Sequence, residues 1–538
     1  MLDLQLPYIL LCSFWIWGLF WIKSALIDYC QFCYFWQLKE YRIDRFKDFL
    51  STLTGKKFLF SYSVCLRPII YFIAFLSSAD FGLFFYILAL IFIIDLVYNI
   101  TRFKQRQLKY PKITLKSAII IIISICIEGI LLLILFTVNY KFIFLLLACR
   151  LLIISGLIII IEPLFRLIKN FYIKIAKNKL SRQDNLLVIG ITGSYGKTTV
   201  KFFLEQILSK KFKVIKTPKN INTDIGIAKF ILKTDFNKVD IFIVEMAAYK
   251  VGEIKLICKM VKPQIGILTA INEQHLQLFG SIKNTQIAKY ELLRSLPESG
   301  LAIVNADNIY CREFLTDLKC NIKTFGQIQN YNPDCLIADM KTNFAGIEFT
   351  VIVKNKIENY QIKSAIVGNH NAMNIAPALL VADHLGLTKQ EIIKQSAKLK
   401  LPEATMEIIN YGKSLIINDS YNSNPEGFNS ALKFLSDHKA GGKKIVITRG
   451  MLELGKSSDE LHKKIGQQID KIADELIIIS PDFVSALKRG VVNPKLKIQT
   501  IFNTKTLLDY LKQNKNQENI ILLENRIPEI VTKEIKQR

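Results

Sequence analysis

Five apolar runs crowd the first 161 residues, at roughly 4–22, 58–77, 81–100, 117–138 and 142–161. Each is long enough to cross a ~30 Å hydrocarbon core as a helix rising 1.5 Å per residue. No soluble domain of that size buries so much uninterrupted apolar chain, and in lipid the backbone must satisfy itself, which helices do. The reading is therefore a membrane domain of five helices. No positive stretch precedes the first run and no small-residue cleavage site follows it, so it is read as a retained anchor and not as a signal peptide.

Basic residues give the runs an orientation. Segment 23–57 carries Lys23, Lys39, Arg42, Arg45, Lys47, Lys56 and Lys57, and loop 101–116 carries six basic residues and no acid. The stretch after residue 162 is basic again, whereas 78–80 and 139–141 hold Lys141 alone. The positive-inside rule then puts 23–57, 101–116 and everything beyond 162 in the cytoplasm, with the N-terminus outside. Four ionisable residues fall inside the runs: Arg67, Asp95, Glu128 and Arg150. A three-residue connection makes the last two runs neighbours, so Glu128 and Arg150 are expected to pair, since a lone intramembrane charge is costly.

Beyond about residue 181 the pattern changes. The runs "LLVIGIT", "VDIFIVEMA", "QIGILTAI", "LIIND", "KKIVIT", "ELIIIS" and "NIILLEN" alternate with helical stretches, which predicts parallel sheets covered by helices. Antiparallel strands are expected over about 320–365. The chain carries a net charge of +26 spread along its length, but no nucleic-acid-binding module accompanies it, so no nucleic-acid partner is expected. The ten cysteines are scattered, and the lone "CQFC" at Cys30 and Cys33 has no second pair at zinc spacing.

The segment "GITGSYGKTT", Gly190 to Thr199, joins a strand to a helix. That geometry aims backbone N–H groups and a positive helix end at a phosphate. In the usual spacing G-x-x-x-x-G-K-[ST] the first glycine would stand at 191, yet that residue is Ile191 and the glycine is Gly190. Lys197 is expected to reach the β- and γ-phosphates and the Thr198 hydroxyl to ligate magnesium. Glu245 ends an apolar strand and His275 follows the next one, where open α/β sheets bind ligands. Hard oxygens with one imidazole beside a phosphate loop suit magnesium held with ATP.

"TGSYGKTT" resembles the phosphate loop of the Mur ligases, ATP-dependent amide-forming enzymes of peptidoglycan synthesis. The resemblance continues in order through "TPKNINTDIGIAKFIL", "VEMAAYKVGEIKLICKMVKPQIGILTAINEQHLQLFGSIKNTQIAKYELL", "VGNHNAMNIAPALLVADHLGL", "INDSYNSNPEGFNSAL" and "GMLELGKSSDELHKKIG". The apolar runs give a membrane region over 1–165 and a basic linker at 166–180, and the resemblance implies a central ATP-binding domain over 181–408 and a C-terminal Rossmann-like α/β domain over 409–538. It implies that ATP contacts Thr192, Gly193, Ser194, Tyr195, Gly196, Lys197, Thr198 and Thr199. Asn371 and Asn374 would contact ATP around its base, and Asp419 would reach it from the last domain. It further implies two Mg²⁺ held by Thr198, Glu245 and His275, with Lys289 carbamylated and bridging toward the second ion. Asn220, Asn222 and Thr223 would shape the substrate cleft, and Asn422, Asn424 and Arg526 the site of an incoming dipeptide. The implied reaction makes an acyl phosphate from a muramoyl peptide and adds D-alanyl-D-alanine to it, at the cytoplasmic face of the bacterial inner membrane.

The resemblance has breaks. Thr405 stands where the family has an Arg, "RGMLELG" has Gly450 in place of Asp, and "LENR" keeps only Arg526 of a Lys-Gly-Ser-Arg run. The membrane runs occupy the place of the soluble domain that grips UDP. Alternatives are another amide former of the same fold (a polyglutamate synthase or a lipid-precursor amidating subunit), an ATP-driven transporter and a non-catalytic scaffold. The runs show no inverted repeat to favour transport.

Overall fold

The computed structural model describes residues 2–536 apart from 78–79, 106, 219–220, 273–278, 355–358, 422–423, 453 and 455–456, with side chains described from residue 17 except at 53. The chain forms two compact units, 1–168 and 169–538.

The first unit is helical: α1 (Leu2–Leu38), α2 (Ile43–Ser51), α3 (Leu53–Leu59), α4 (Arg67–Ser77), α5 (Phe81–Lys104), α6 (Leu115–Val138), α7 (Phe142–Ala148) and α8 (Arg150–Leu180), which runs on into the second unit. Among the described residues, three helices are long and apolar enough to cross a membrane: α5, α6 and α8. Two of the five expected spans are therefore reshaped. Run 58–77 is interrupted after α3 at Phe60 and Ser61, leaving a continuous apolar helix of Tyr62–Ser77, which opens with a π-turn at Tyr62–Leu66. Run 142–161 is divided at Cys149, and α8 continues through Pro163, so the basic stretch 166–180 is helical. The first run lies in α1, mostly outside the described side chains.

A buried ionic network joins these helices. Arg150 bonds Glu128 through Nη2 at 2.8 Å and Asp28 through Nη1 at 2.7 Å. Arg67 pairs with Asp95 at 2.7 Å and with Asp28, and all five side chains are at most 2% exposed. Ser24 bridges Asp95 and Arg150, while Trp21 and Tyr29 donate to Glu128 at 2.7 and 2.5 Å. The expected Glu128–Arg150 pair forms, but as part of a larger set. Asp28 escaped notice because α1 extends to Leu38, through what reads as the start of a basic loop.

The second unit holds two sheets. The larger has the order β2-β3-β1-β4-β5-β6-β7-β8-β9. Its strands β1 (Leu187–Thr192), β2 (Val214–Lys216), β3 (Ile241–Glu245), β4 (Ile265–Leu268), β5 (Leu301–Asn305) and β6 (Asn321–Gly326) run parallel. Strand β7 (Cys335–Asn343) is still parallel to β6, and β8 (Gly346–Val353) and β9 (Tyr360–Ser364) close that edge antiparallel, so of the stretch 320–365 only the part from β7 on pairs as expected. Alternate residues of β1 serve two cores. Ile189 and Ile191 face one containing Val200 and Phe203 of α9 (Lys197–Leu208), and Val188 faces the other, with Leu292 and Leu293. Burial on both faces explains the near-continuous apolar runs. The smaller sheet, β10-β11-β15-β12-β13-β14, has β10 (Glu407–Tyr411) antiparallel to β11 (Ser414–Asp419), with β12 (Lys444–Thr448), β13 (Glu475–Ile478), β14 (Lys497–Thr500) and β15 (Ile520–Glu524) parallel.

Breaking the ionic network from one side leaves buried carboxylates without their cation, which costs roughly 3–5 kcal/mol. Arg150→Leu should therefore lower the thermal unfolding midpoint of the detergent-solubilised chain strongly. Leu152→Ala, at a position 69% exposed on the same helix, should leave it nearly unchanged.

Candidate functional site

Two glycines shape the phosphate loop. Gly193 has φ +149°, and a Cβ there would stand 2.0 Å from Thr269 Oγ1 and 3.1 Å from the Ala270 backbone. Gly196 has φ +79° and lies against Asn374, whose Oδ1 would be 2.6 Å from a Cβ. Both close approaches let backbone N–H groups line a cradle at the start of α9. Gly190 has a different task. It sits inside β1, where a Cβ would meet Leu292 Cδ1 at 2.6 Å and Met246 Cε at 2.9 Å. The glycine displaced from position 191 thus serves the packing of the helix Ile282–Arg294 on the sheet.

The loop is held by its neighbours. The Ser194 N–H donates to the Ala270 carbonyl at 2.7 Å, and the Asn272 N–H donates to Ser194 Oγ at 3.1 Å. Thr192 Oγ1 donates to the Met246 carbonyl at 3.0 Å, and Thr269 Oγ1 bonds the Tyr195 carbonyl. Thr199 is buried on α9. The Lys197 ammonium folds back on the carbonyls of Gly193 and Ser194, at 2.6 and 3.0 Å.

Glu245, at the end of β3, is the hub. Its Oε2 accepts from Thr198 Oγ1 at 3.0 Å and from Lys201 Nζ at 2.7 Å, and its Oε1 accepts from Asn222 Nδ2 at 3.1 Å. Burial alone would push this carboxyl up, but the Lys201 and Lys197 charges outweigh it and hold it below the usual range. Lys201 is fully buried. Sequence reasoning missed it, though it stands four residues after Lys197 on one helix face, the spacing at which side chains share a surface.

Lys289, on the helix Ile282–Arg294, is buried 5.9 Å from the centre of the Phe279 ring. Burial first, then the Lys197 charge, lower its pKa to about 7. Lys197 is lowered too, again chiefly by burial. Thr198 and Glu245 give a divalent cation two oxygen donors beside the cradle, leaving room for water and phosphate oxygens, which suits magnesium. Among the described residues no three His, Cys, Asp or Glu side chains converge. His275, Asn220 and Asn422 lie outside the described residues.

The remaining expected residues spread over both sheets. Asn371 is buried and donates to the Val367 carbonyl at 2.7 Å, and Asn374 donates to Asn371 Oδ1 at 3.1 Å, which leaves Asn374 facing the phosphate loop. Thr223 caps α10 (Asp224–Lys233) without a side-chain bond. Asp419 ends β11 and accepts from the Met406 N–H at 3.1 Å; burial raises it to about 7. Asn424 caps the helix Pro425–Ser436 by accepting from Gly427 N–H at 3.0 Å. Arg526 is exposed, its N–H bonded to the Ser420 carbonyl at 2.7 Å. A further contact joins the two sheets' loops: Asn272 Nδ2 donates to Glu426 Oε2 at 2.6 Å.

Gly193→Ala meets backbone and a forbidden φ and should abolish nucleotide binding measured by titration calorimetry. Gly190→Ala meets only side-chain ends, so it should cost stability, roughly 1–3 kcal/mol by overpacking, while the folded fraction still binds nucleotide.

Known proteins share this arrangement. Residues 191–382 match the family model of the Mur ligase middle domain, and 406–524 that of the Mur ligase glutamate ligase domain. The UDP-N-acetylmuramoyl-tripeptide–D-alanyl-D-alanine ligase of Bacillus subtilis is 29% identical over 338 residues, 62% of this chain and 72% of that protein. The Rickettsia prowazekii enzyme of the same name is 30% identical over 305 residues, 56% of this chain and 67% of its own length. The Borreliella burgdorferi enzyme is matched over 62% of its length, so the likeness leaves part of these relatives uncovered. Among solved structures, MurF from Acinetobacter baumannii superposes with a TM-score of 0.62 at 24% identity, over 69% of this chain and 81% of that one. The MurF ligase of Thermotoga maritima in complex with ADP gives 0.59 at 25%, over 69% and 84%. With a glycine-shaped phosphate cradle, a buried lysine–carboxylate hub behind it and both family domains in order, the chain belongs to the Mur ligase family.

Proposed function

We propose that this chain is an ATP-dependent, ADP-forming ligase that adds D-alanyl-D-alanine to a muramoyl tripeptide. The observation that carries the reading is the cluster of Lys197, Thr198, Lys201 and Glu245 at the phosphate cradle, with the buried Lys289 close enough for the Lys197 charge to depress its pKa. In the proposed reaction a substrate carboxylate oxygen attacks the γ-phosphorus of ATP, and ADP leaves an acyl phosphate. The dipeptide amine then attacks the acyl carbon, losing its proton, and phosphate departs as the amide forms.

The chain's residues serve positioning and charge. The cradle N–H groups hold phosphate oxygens, and Lys197, released from the loop carbonyls, neutralises the transferring group. Thr198 and Glu245 are the residues that would hold Mg²⁺, which when bound adds charge neutralisation at the phosphates. Lys201 keeps the Glu245 carboxylate fixed in orientation. The Asn272–Glu426 bond ties the start of the helix Pro425–Ser436 to the segment after β4, beside Ser194 of the loop. Lys289 is proposed to add through its neutral amine to carbon dioxide, losing a proton and leaving a carbamate anion. A pKa of about 7 favours that chemistry, since the free amine is the nucleophile.

The membrane reading is part of the proposal: residues 1–168 are embedded in the bacterial cytoplasmic membrane as a multi-pass unit, N-terminus outside and ligase in the cytoplasm. The three long apolar helices and the basic connections support it. The acceptor is then proposed to be a lipid-linked muropeptide, with the soluble UDP-linked precursor as its competitor.

ADP release by the full chain in detergent should require Mg²⁺, D-alanyl-D-alanine and one muropeptide acceptor. Lys289→Ala should lower it roughly a hundredfold, and release without any acceptor would refute the ligase. Neutral Lys289 rises from about a tenth at pH 6 to about nine-tenths at pH 8. The bicarbonate-dependent part of the rate should therefore climb through pH 7, and a flat profile would remove the carbamate from the scheme.

A further inference from the structure

At the end of the larger sheet opposite the phosphate loop, a cavity of about 600 Å³ opens beside Gln264, just before β4. Four lysines line it and no carboxylate does: Lys177 from α8, Lys255 and Lys259 from α11 (Glu253–Val261), and Lys262 immediately after that helix. None of the four forms an ion pair with a carboxylate among the described residues, although the unit is rich in such pairs elsewhere. Lys255 and Lys259 are one helical turn apart, a spacing at which like charges repel. The ligase chemistry uses none of them.

The helix that supplies Lys177 carries a second observation. Along α8, Leu164 (58% exposed), Leu167 (67%), Phe171 (63%) and Ile175 (39%) recur at intervals of three and four residues, so they form one bare apolar stripe. Arg166 and Lys174 lie between them in the chain, both exposed, whereas Lys169 turns away to pair with Asp224 at 2.6 Å. An apolar stripe with basic flanks is the pattern of a helix seated at a lipid–water interface. This stripe continues a helix long and apolar enough to span a membrane.

We propose that the four-lysine cavity binds the phosphate head group of an anionic phospholipid, while the α8 stripe packs on the adjoining acyl chains. Charge complementarity selects the head group, since four unpaired ammonium groups attract phosphate and repel choline. The stripe selects lipid over a soluble anion. The four lysines then make the ligase unit sensitive to the charge of the lipid surface. This inference rests on the membrane reading above.

The test uses the full chain in detergent, with thermal stabilisation as the readout and short-chain phosphatidylglycerol as the probe. Phosphatidylglycerol should stabilise it, phosphatidylcholine should not, and the difference should collapse near 1 M salt, where the screening length is about 3 Å. The variant K255Q/K259Q/K262Q should bind phosphatidylglycerol roughly a hundredfold more weakly, yet keep its stabilisation by ATP, which shows that it folds. Equal stabilisation by phosphatidylcholine, or full retention in the variant, overturns the proposal. Inorganic phosphate that stabilises equally and competes with the lipid also overturns it, by making the cavity a site for a soluble anion. Carbonate extraction of membranes reads insertion separately: release of the protein would refute the membrane reading itself, whatever the cavity binds.

Discussion

One carboxylate organises the catalytic unit. Glu245 sits where β3 ends, and its two oxygens gather Thr198 and Lys201 from α9 and Asn222 from the segment before α10. Three chain segments far apart in sequence are thereby fixed around the mouth of the phosphate cradle. The arrangement needs Lys201. A carboxylate only 3% exposed would otherwise be driven toward its neutral form and lose its value as an oxygen donor to a cation. A buried lysine is equally costly alone. Each makes the other tolerable, and together they give the cleft a rigid floor while Lys197 stays free to exchange loop carbonyls for phosphate.

The helical unit obeys the same logic with more partners. Two guanidinium groups and three carboxylates are buried together, so α1, α4, α5, α6 and α8 are tied at one level. Apolar side chains on a helix in lipid gain little by choosing one neighbour over another, because lipid tails are as apolar as leucine. Ionic groups, which find partners only at specific positions, supply the missing specificity. This explains how helices with so few polar residues adopt a defined packing.

Much of this was legible in the sequence, and the failures are instructive. The strand runs of the catalytic unit were visible because parallel strands buried on both faces read as uninterrupted β-branched segments. The cradle was visible because its glycines, lysine and threonine are spaced by the loop's own geometry. The span count was less legible: hydropathy sees that 58–77 is apolar but not that the helix breaks at Phe60 and Ser61 or that Arg67 turns inward to its carboxylates. Asp28 was hidden for a related reason, since nothing local shows that α1 runs past its apolar part. Lys201 and Glu426 were hidden because their meaning lies in partners 44 and 154 residues away. The end of an apolar strand pointed to Glu245 and family resemblance to Lys289, and the fold then supplied a physical reason for each.

The odd glycine at 190 shows how the two kinds of constraint divide one short stretch. A phosphate loop needs open backbone where the nucleotide lies, and Gly193 and Gly196 provide it through positive φ angles and the absence of a Cβ. Gly190 is placed three residues earlier, inside a regular strand, where it lets Leu292 approach the sheet. That approach seats the helix Ile282–Arg294, and with it Lys289, deep enough for burial and the Lys197 charge to bring its pKa to about 7. A packing residue in the strand thus helps seat the helix that carries the lysine. The apparent defect in the motif follows from that coupling between the sheet, its covering helix and the site they share.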